Sequence, residues 1–444
     1  MPTSETIAAI ATPAGIGGIG IVRVSGPLAL EIGNTLTDTK LQVNRVRFRK
    51  FMDASGQTID HGLCFYCQAP HSFSGEDVVE IQGHGGPILL DMLLERVCQL
   101  GARLARAGEF SERAFLNGKV DLAQAEAIAD LIESGSRAAA KAAMRSLEGK
   151  FSKQVQQVVD DIINLRSYIE AALDFAEEEI DFLADNPING RLENCRLNLE
   201  NILKQAEHGR VLNEGLALTL AGLPNAGKSS LLNYFAGYEA AIVTEIAGTT
   251  RDVLREHISL NGIPLHVNDT AGLRESDNLV EKEGIKRAWQ EIDKADTVLL
   301  LVDATVGLVA AHESIIERLK TSNYHLVYTK SDLLAEGAIK DPEALYISTR
   351  NGEGMEALID LITGNFSDFT QDNQSIMARR RHVEALTNAY HSLVQAQDVF
   401  TKTQSGELVA EDLRQVQLYL NEITGEFTSD DLLGKIFSKF CIGK

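Results

Sequence analysis

Gly222-Leu-Pro-Asn-Ala-Gly-Lys-Ser229 carries the G-x-x-x-x-G-K-[ST] spacing of a loop that wraps phosphate. Gly222 and Gly227 permit a turn whose amides point inward, and a helix opening near Lys228 adds the positive end of its dipole. Lys228 is expected to reach the β- and γ-phosphate oxygens and Ser229 to ligate Mg²⁺. Asn225, Ala226, Gly227 and Ser230 complete the expected contacts to the nucleotide. The alternative is a glycine turn followed by a chance Lys-Ser. A strand-like run before the pattern and a helix-like run after it argue against that.

Further motifs follow in order. Asp269, Thr270, Ala271 and Gly272 come after the apolar run Leu265–Asn268. A carboxylate there can hold the metal through water, and the Gly272 amide can sense the γ-phosphate. Between this motif and the phosphate loop, Gly248-Thr-Thr-Arg-Asp252 offers Thr250 as a second metal ligand. Thr329, Lys330, Ser331 and Asp332 end another strand. A carboxylate at Asp332 accepts from both the ring N–H and the amino group of guanine, which adenine cannot supply, so the motif selects GTP over ATP. Asn is usual where Thr329 stands, which puts one base contact and the tie to the phosphate loop in question. Ser348 suits the short loop that buttresses the base.

Leu273 occupies the place where regulatory GTPases carry a water-positioning glutamine, and it cannot do that work. Asn225 and the segment 244–250 suggest a monovalent cation where an arginine finger would sit, its charge offsetting that on the phosphates. The other reading of Asn225 is loop geometry, since Asn tolerates turns. Spacing alone leaves the two even.

These residues need a scaffold. Leu216–Leu220, His257–Leu260, Leu265–Asn268, Thr297–Val302, His325–Thr329 and Ala344–Ser348 read as strands alternating with helices, the pattern of a mostly parallel sheet covered on both faces. Ahead of them, Thr6–Ala11, Ile19–Val24 and Val78–Ile81 are strand-like and Pro87–Leu100 is an amphipathic helix, a mixed α/β texture. From Val120 to about Arg210, and again from Arg379 to Phe440, apolar residues recur at three and four among Ala, Glu, Lys and Leu. The expected class is multidomain α/β and all-α, with an α/β unit inserted into one helical domain.

The 444-residue length suits two or three domains, and 44% apolar with 24% charged residues is ordinary for a globular chain. Five scattered cysteines argue against a disulfide framework. No apolar stretch approaches about 18 residues, so a cytoplasmic protein with no membrane partner is expected. A net charge of −21 disfavours tight, sequence-blind nucleic-acid binding. The two dense basic runs, Arg45–Lys50 and Arg379–His382, read as solvated faces or linker edges, with a local basic patch as the alternative.

Ala11–Gly20, Gly75–Pro87, Gly108–Asn117, Asp121–Asp130, the nucleotide motifs and Phe427–Lys444 together resemble the tRNA uridine 5-carboxymethylaminomethyl modification GTPases along the whole chain. The resemblance implies an N-terminal folate-binding and dimerisation domain (1–118), a helical domain in two halves (119–210 and 373–444) and a Ras-like G domain (211–372). It implies K⁺ activation, with Asn225, Thr244, Ile246 and Thr249 at the cation positions and Glu245, Ala247 and Gly248 in the same loop. Glu245 stands where Asp is common. Glu281 falls at the position of a carboxylate that orients the attacking water through a second water. In the N-terminal domain, Arg23, Glu80 and Lys119, with the terminal Lys444, match contacts to a tetrahydrofolate derivative, in its 5-formyl or 5,10-methylene form. The family acts as a homodimer, with an FAD- and NADH-dependent flavoprotein, on the wobble uridine of tRNA. Read without the resemblance, Arg23 has a second reading as a snorkelling edge-strand side chain.

Gly15-Ile-Gly-Gly-Ile-Gly20 matches a dinucleotide fingerprint, but a strand rather than a helix is expected to follow it. Cys64 and Cys67 lack a second pair for zinc and are expected to pack within a strand. Cys441 is a candidate catalytic or substrate-positioning thiol, against the reading of a small buried apolar residue. The rival function is a GTP-loaded switch in ribosome assembly or signalling, which needs neither a folate-like domain nor this tail. A folate enzyme with a degenerate GTPase appendage is opposed by the intact Lys228 and Asp269.

Overall fold

The computed structural model describes residues 5–174, 187–238, 258–261, 263–269, 289–290, 292–320, 323–335, 341, 344–371, 375–426, 430–438 and 440–443. The first sheet holds β1 (Ile7–Ile10), β2 (Gly17–Ser25), β3 (Arg47–Met52), β4 (Thr58–Cys67), β5 (Val78–Gly85) and β6 (Arg103–Leu104). Their order is β3-β4-β5-β2-β1-β6. β1 runs parallel to β6 and every other pair is antiparallel.

Alternation in the strands decides the two faces. Val22 and Val24 of β2 and Val79 and Ile81 of β5 are fully or almost fully buried, in one core with Leu36 of the helix Ala29–Thr37 and Leu93 of the helix Pro87–Gln99. The intervening Arg23 and Glu80 therefore lie on the other face, at directly paired positions. β2 sits between β5 and β1, which removes the edge-strand reading of Arg23. The glycine run from Gly17 lies inside β2, so the dinucleotide pattern opens a strand. A Cβ on Gly20 would come within 2.6 Å of the Leu90 side chain, which accounts for that glycine by packing. Cys64 and Cys67 belong to β4, and burial pushes the Cys64 thiol up to about 12.

Sequence patterning placed no strand at β3 and reached only the Cys64–Cys67 end of β4. In β3 only Phe51 is buried, and cations occupy the neighbouring positions, so the apolar alternation that marks a strand is absent.

The helical layer comprises Leu122–Glu133, Arg137–Leu147, Lys150–Asp174, Pro187–Glu214, Arg380–Thr403, Gly406–Thr424 and Asp430–Phe437. Ile162, Ile169, Leu192 and Leu199 share one core with Leu386, Leu393, Leu413 and Leu420, so segments far apart in the chain bury each other's apolar stripes. A buried strap, Ser375–Ala378, leads back into this layer. Ser146 Oγ donates to Met377 O at 3.0 Å and accepts from Met377 N–H at 2.8 Å, in a helix distant in sequence.

The basic run Arg379–His382 is not a solvated face. Arg379 pairs with Asp130 at 2.6 Å, while Arg381 and His382 both meet Glu126, which is almost fully buried. Glu126 and Asp130 are one turn apart on the helix that the Asp121–Gln124 capping box starts. Burial pushes the Glu126 carboxyl up, but His382 and Arg381 outweigh it and hold it well below the usual carboxylate range. Only Arg380 of the run is exposed.

The second sheet holds β7 (Leu216–Gly222), β8 (Ile258–Leu260), β9 (Ile263–Asp269), β10 (Thr297–Asp303), β11 (Tyr324–Thr329) and β12 (Leu345–Tyr346). Its order is β12-β11-β10-β7-β9-β8, parallel except for the β8–β9 hairpin. The near-continuous burial of β7 and β10 is that of strands covered on both faces. Arg210, in the helix that enters the sheet, donates to Asp296 Oδ1 at 2.7 Å, and Asp296 Oδ2 accepts from Ala217 N–H at 2.9 Å, fixing the start of β7 beside β10.

Candidate functional site

Parallel register brings the carboxyl ends of four strands together: Leu301 faces Gly222, Asp269 faces Leu220 and Asp303 faces Thr329. In open α/β sheets this end is where ligands bind. The loop after β7 turns through left-handed backbone at Asn225 (φ 63°) and Gly227 (φ 92°) before the helix Lys228–Tyr238 begins. Gly222 has φ 145°, and a Cβ there would stand 2.5 Å from Leu301 O, so no side chain fits.

Lys228 Nζ donates to Gly222 O at 2.9 Å and Leu223 O at 3.1 Å, which lays the ammonium across the loop. Ser229 and Ser230 follow in the helix's first turn and are exposed. Asn225 is exposed and Ala226 buried.

Thr329 keeps the tie that its substitution for Asn put in question. Its hydroxyl is buried and donates to Ala226 O at 2.8 Å, with Val302 O a longer alternative at 3.3 Å. Lys330 adopts left-handed backbone (φ 59°), and its ammonium reaches Asp303 Oδ2 at 2.6 Å. Burial pushes the Asp303 carboxyl up, but bonds from Lys330 and Thr305 outweigh it and hold it below its ordinary value. Asp303 is a contact of the Thr329–Asp332 segment that sequence reading did not single out; its one signal is an acid at the end of an apolar strand.

Asp332 Oδ1 accepts from Ser348 Oγ at 2.7 Å, and the amides of Arg350 and Asn351 reach that hydroxyl at 3.2 and 3.4 Å. Ser348 thus orients the carboxylate. Asp269 closes β9; its backbone is described and its side chain is not. Thr244, Glu245, Ile246, Ala247, Gly248, Thr249, Thr250, Thr270, Ala271, Gly272, Glu281 and Lys444 lie outside the described residues.

The first sheet carries a second constellation. Arg23 Nε and Nη2 both lie 2.9 Å from Glu80 Oε1, and the guanidinium lies 5.5 Å from the Phe73 ring centroid and 5.7 Å from that of Phe110. Arg23 Nη1 donates to Gly443 O at 3.4 Å, so the chain's C-terminal tail reaches this site. Ile442 bridges Ala107, and Gly108 N–H donates to Cys441 O at 3.4 Å. Cys441 is exposed, which removes its reading as a buried apolar residue. Lys119 Nζ donates to Pro70 O at 3.0 Å, on the loop that also bears Phe73.

Beneath that loop lies a polar network. Ser25 Oγ bonds Ser74 Oγ at 2.6 Å and donates to Glu76 Oε2 at 2.7 Å, and the buried Arg113 reaches Glu76 at 2.9 Å and Glu109 at 3.1 Å. Burial pushes the Glu109 carboxyl up, but Arg103, the Arg106 amide and Arg113 outweigh it and hold it at about 2. The Gly75–Pro87 and Gly108–Asn117 motifs meet here, three-dimensional neighbours with no local sequence link.

Residues 122–441 match the family described as the MnmE helical domain, and residues 6–119 match the GTP-binding protein TrmE N-terminus. A tRNA modification GTPase MnmE of Pseudomonas aeruginosa (strain UCBPP-PA14) is 51% identical over 451 residues, covering 99% of each chain. The protein of that name from Mannheimia succiniciproducens is 51% identical over 454 residues and 100% of each chain. That from Legionella pneumophila is 52% identical over 446 residues and 99% of each. Among solved structures, Aquifex aeolicus Era bound to GDP.AlF4⁻ is 23% identical, with TM-score 0.27 over 39% of this chain and 65% of that one. The G domain of the T. maritima FeoB iron transporter is 25% identical, with TM-score 0.26 over 35% of this chain and 99% of that one.

Proposed function

The chain belongs to the MnmE family of tRNA modification GTPases, and from that premise we propose that its GTP turnover drives modification of C5 of the tRNA wobble uridine, with a one-carbon folate and a flavoprotein partner. The observation that carries the GTP half is the pairing of two loops: Thr329 fastened to Ala226, and Asp332 held by Ser348. One Asp332 oxygen is taken by Ser348, and the carboxylate retains acceptor capacity for the paired N–H donors of guanine.

The donor set of the site fits a triphosphate with its cations. Lys228 crosses the loop, the helix Lys228–Tyr238 contributes its amino end, and Ser229 stands exposed at that end. Ser229 and Thr250 would hold Mg²⁺, and Asn225, Thr244, Ile246 and Thr249 would hold K⁺. When bound, such cations supply neutralisation of the charge that builds on the phosphate oxygens. Lys228 orients the same oxygens, and Glu281 is assigned the water-orienting role.

The folate half is supported by the first sheet. Glu80 offers an acceptor for a pterin amino group, while the unused N–H groups of Arg23, with Lys119 and Lys444, suit a carboxylate tail. Cys441 is exposed on the tail whose Gly443 carbonyl meets Arg23, which supports a role toward the uridine. The protein acts in the cytoplasm as a homodimer through 1–118, with 119–210 and 373–444 as one helical domain and 211–372 as the G domain. Among the described residues no helix is long and apolar enough to cross a membrane.

The test measures GTP and ATP hydrolysis by the full chain in K⁺ and in Na⁺, with and without the flavoprotein, beside the wobble-uridine state of tRNA in a strain lacking the gene. GTP-selective turnover, faster in K⁺, with unmodified uridine in the deletion strain is the expected result. Full modification without the gene would overturn the reading.

A further inference from the structure

Of the two basic runs in a chain of net charge −21, the structure accounts for one internally and leaves the other open. Arg45, Arg47 and Lys50 are exposed and Arg49 is half-buried, and none of the four has an ion-pair partner among the described residues. Arg47, Arg49 and Lys50 belong to β3, the terminal strand of its sheet. Across the strand pair, the residues facing 47–50 are Cys64, Leu63, Gly62 and His61, with no carboxylate among them.

An aromatic platform interrupts the cations. Phe48 is 64% exposed, and its ring stacks on His61 with centroids 6.3 Å apart and planes 21° from parallel. Charge on an edge strand guards against pairing with another sheet. That role asks nothing of a large exposed ring between the charges. Cations for phosphates, interleaved with a flat ring on which a base can stack, are what single-stranded nucleic acid requires.

We propose that β3 and Arg45 form a docking surface for RNA that wraps the edge of the strand: Phe48 stacks on a splayed base with Lys50 beside it on one face, and Arg47 on the other face joins Arg45 in gripping the backbone of an unpaired loop. The proposal rests on the tRNA-modification reading, and it assigns this edge as the place where the tRNA lies.

The test titrates the full chain with a fluorescent, unmodified tRNA transcript at several salt concentrations. Replacing Arg45, Arg47 and Lys50 together with alanine should weaken binding roughly tenfold or more at ~0.15 M salt and reduce the slope of log affinity against log salt by about 2. Arg45→Lys with Arg47→Lys should keep the slope. Phe48→Ala should weaken binding roughly tenfold with the slope unchanged. GTP hydrolysis should be the same in every variant.

An unaltered slope in the triple variant overturns the surface, and so does a wild-type chain that ignores the transcript. If the slope stays and the triple variant aggregates, the charges only guard the edge. If the slope stays and a dimer dissociates, the face joins two copies. Wobble-uridine analysis of the deletion strain is scored separately, so loss of the general reading is distinguishable from loss of this surface.

Discussion

Thr329 and Ala226 are 103 positions apart, and one 2.8 Å hydrogen bond joins the hydroxyl of the first to the carbonyl of the second. Both residues are buried. This bond ties the end of β11 to the loop that follows β7. Thr329→Val keeps the shape and removes the donor, leaving the Ala226 carbonyl without this partner at a cost of roughly 1–3 kcal/mol. Weaker GDP binding through faster release is expected, while Thr329→Ser stays near wild type. Stopped-flow release of a fluorescent GDP checks this; equal rates for the valine and wild-type proteins would count against it.

Asn225 sits at φ 63°, where alanine is strained and glycine is not. Asn225→Gly therefore removes the amide side chain without bending the loop. It should abolish stimulation of GTP hydrolysis by K⁺ and leave nucleotide affinity within about threefold, a margin of under 1 kcal/mol. Stimulation undiminished in the glycine variant would return Asn225 to plain loop geometry.

His382 is buried against Glu126, and its Nδ1 accepts the Arg379 amide at 3.1 Å. Burial, with Arg381 beside it, pushes the imidazole down to about 4. The unfolded chain, with histidine near 6.5, then binds more protons than the folded one between these values. Stability from the neutral ring is complete above about pH 6.5 and falls away toward pH 4, on the order of 3 kcal/mol at most. His382→Gln retains a donor and an acceptor without titrating. It should flatten the stability curve across that window, measured by urea unfolding at several pH values. Parallel curves for the two proteins would refute the assignment.

Gly443 has φ 95°, and a Cβ there would stand 2.3 Å from Ile10 O. Gly443→Ala should lift the tail from β1 and remove its carbonyl from Arg23. Hydrogen exchange at the Gly108 amide, which now donates to Cys441 O, should rise. Tetrahydrofolate binding should weaken, and GTP hydrolysis should not change. Undisturbed exchange at Gly108 would mean that the tail is held by other contacts.

Residues 222–229, 329–332 and 348 were legible from the chain because their chemistry is written in short contiguous runs bounded by apolar strands. Such local order survives without knowledge of the fold. Long helices were legible for the same reason, their period repeating over many turns. β3 was hidden because its alternation consists of arginine and phenylalanine on an edge, where burial selects on one residue, Phe51.

Only the tertiary structure decided what each charge is for. Arg379 and Arg381 share the charge pattern of Arg45 and Arg47 in one dimension, yet the first pair meets Asp130 and Glu126 across the helical core while the second meets no carboxylate among the described residues. Likewise Arg23 meets Gly443 across 420 positions. Composition and period set which segments become helix or strand, because those are local steric and burial preferences. Which side chains end up facing one another depends on how distant segments pack, and that is settled by the shared cores alone.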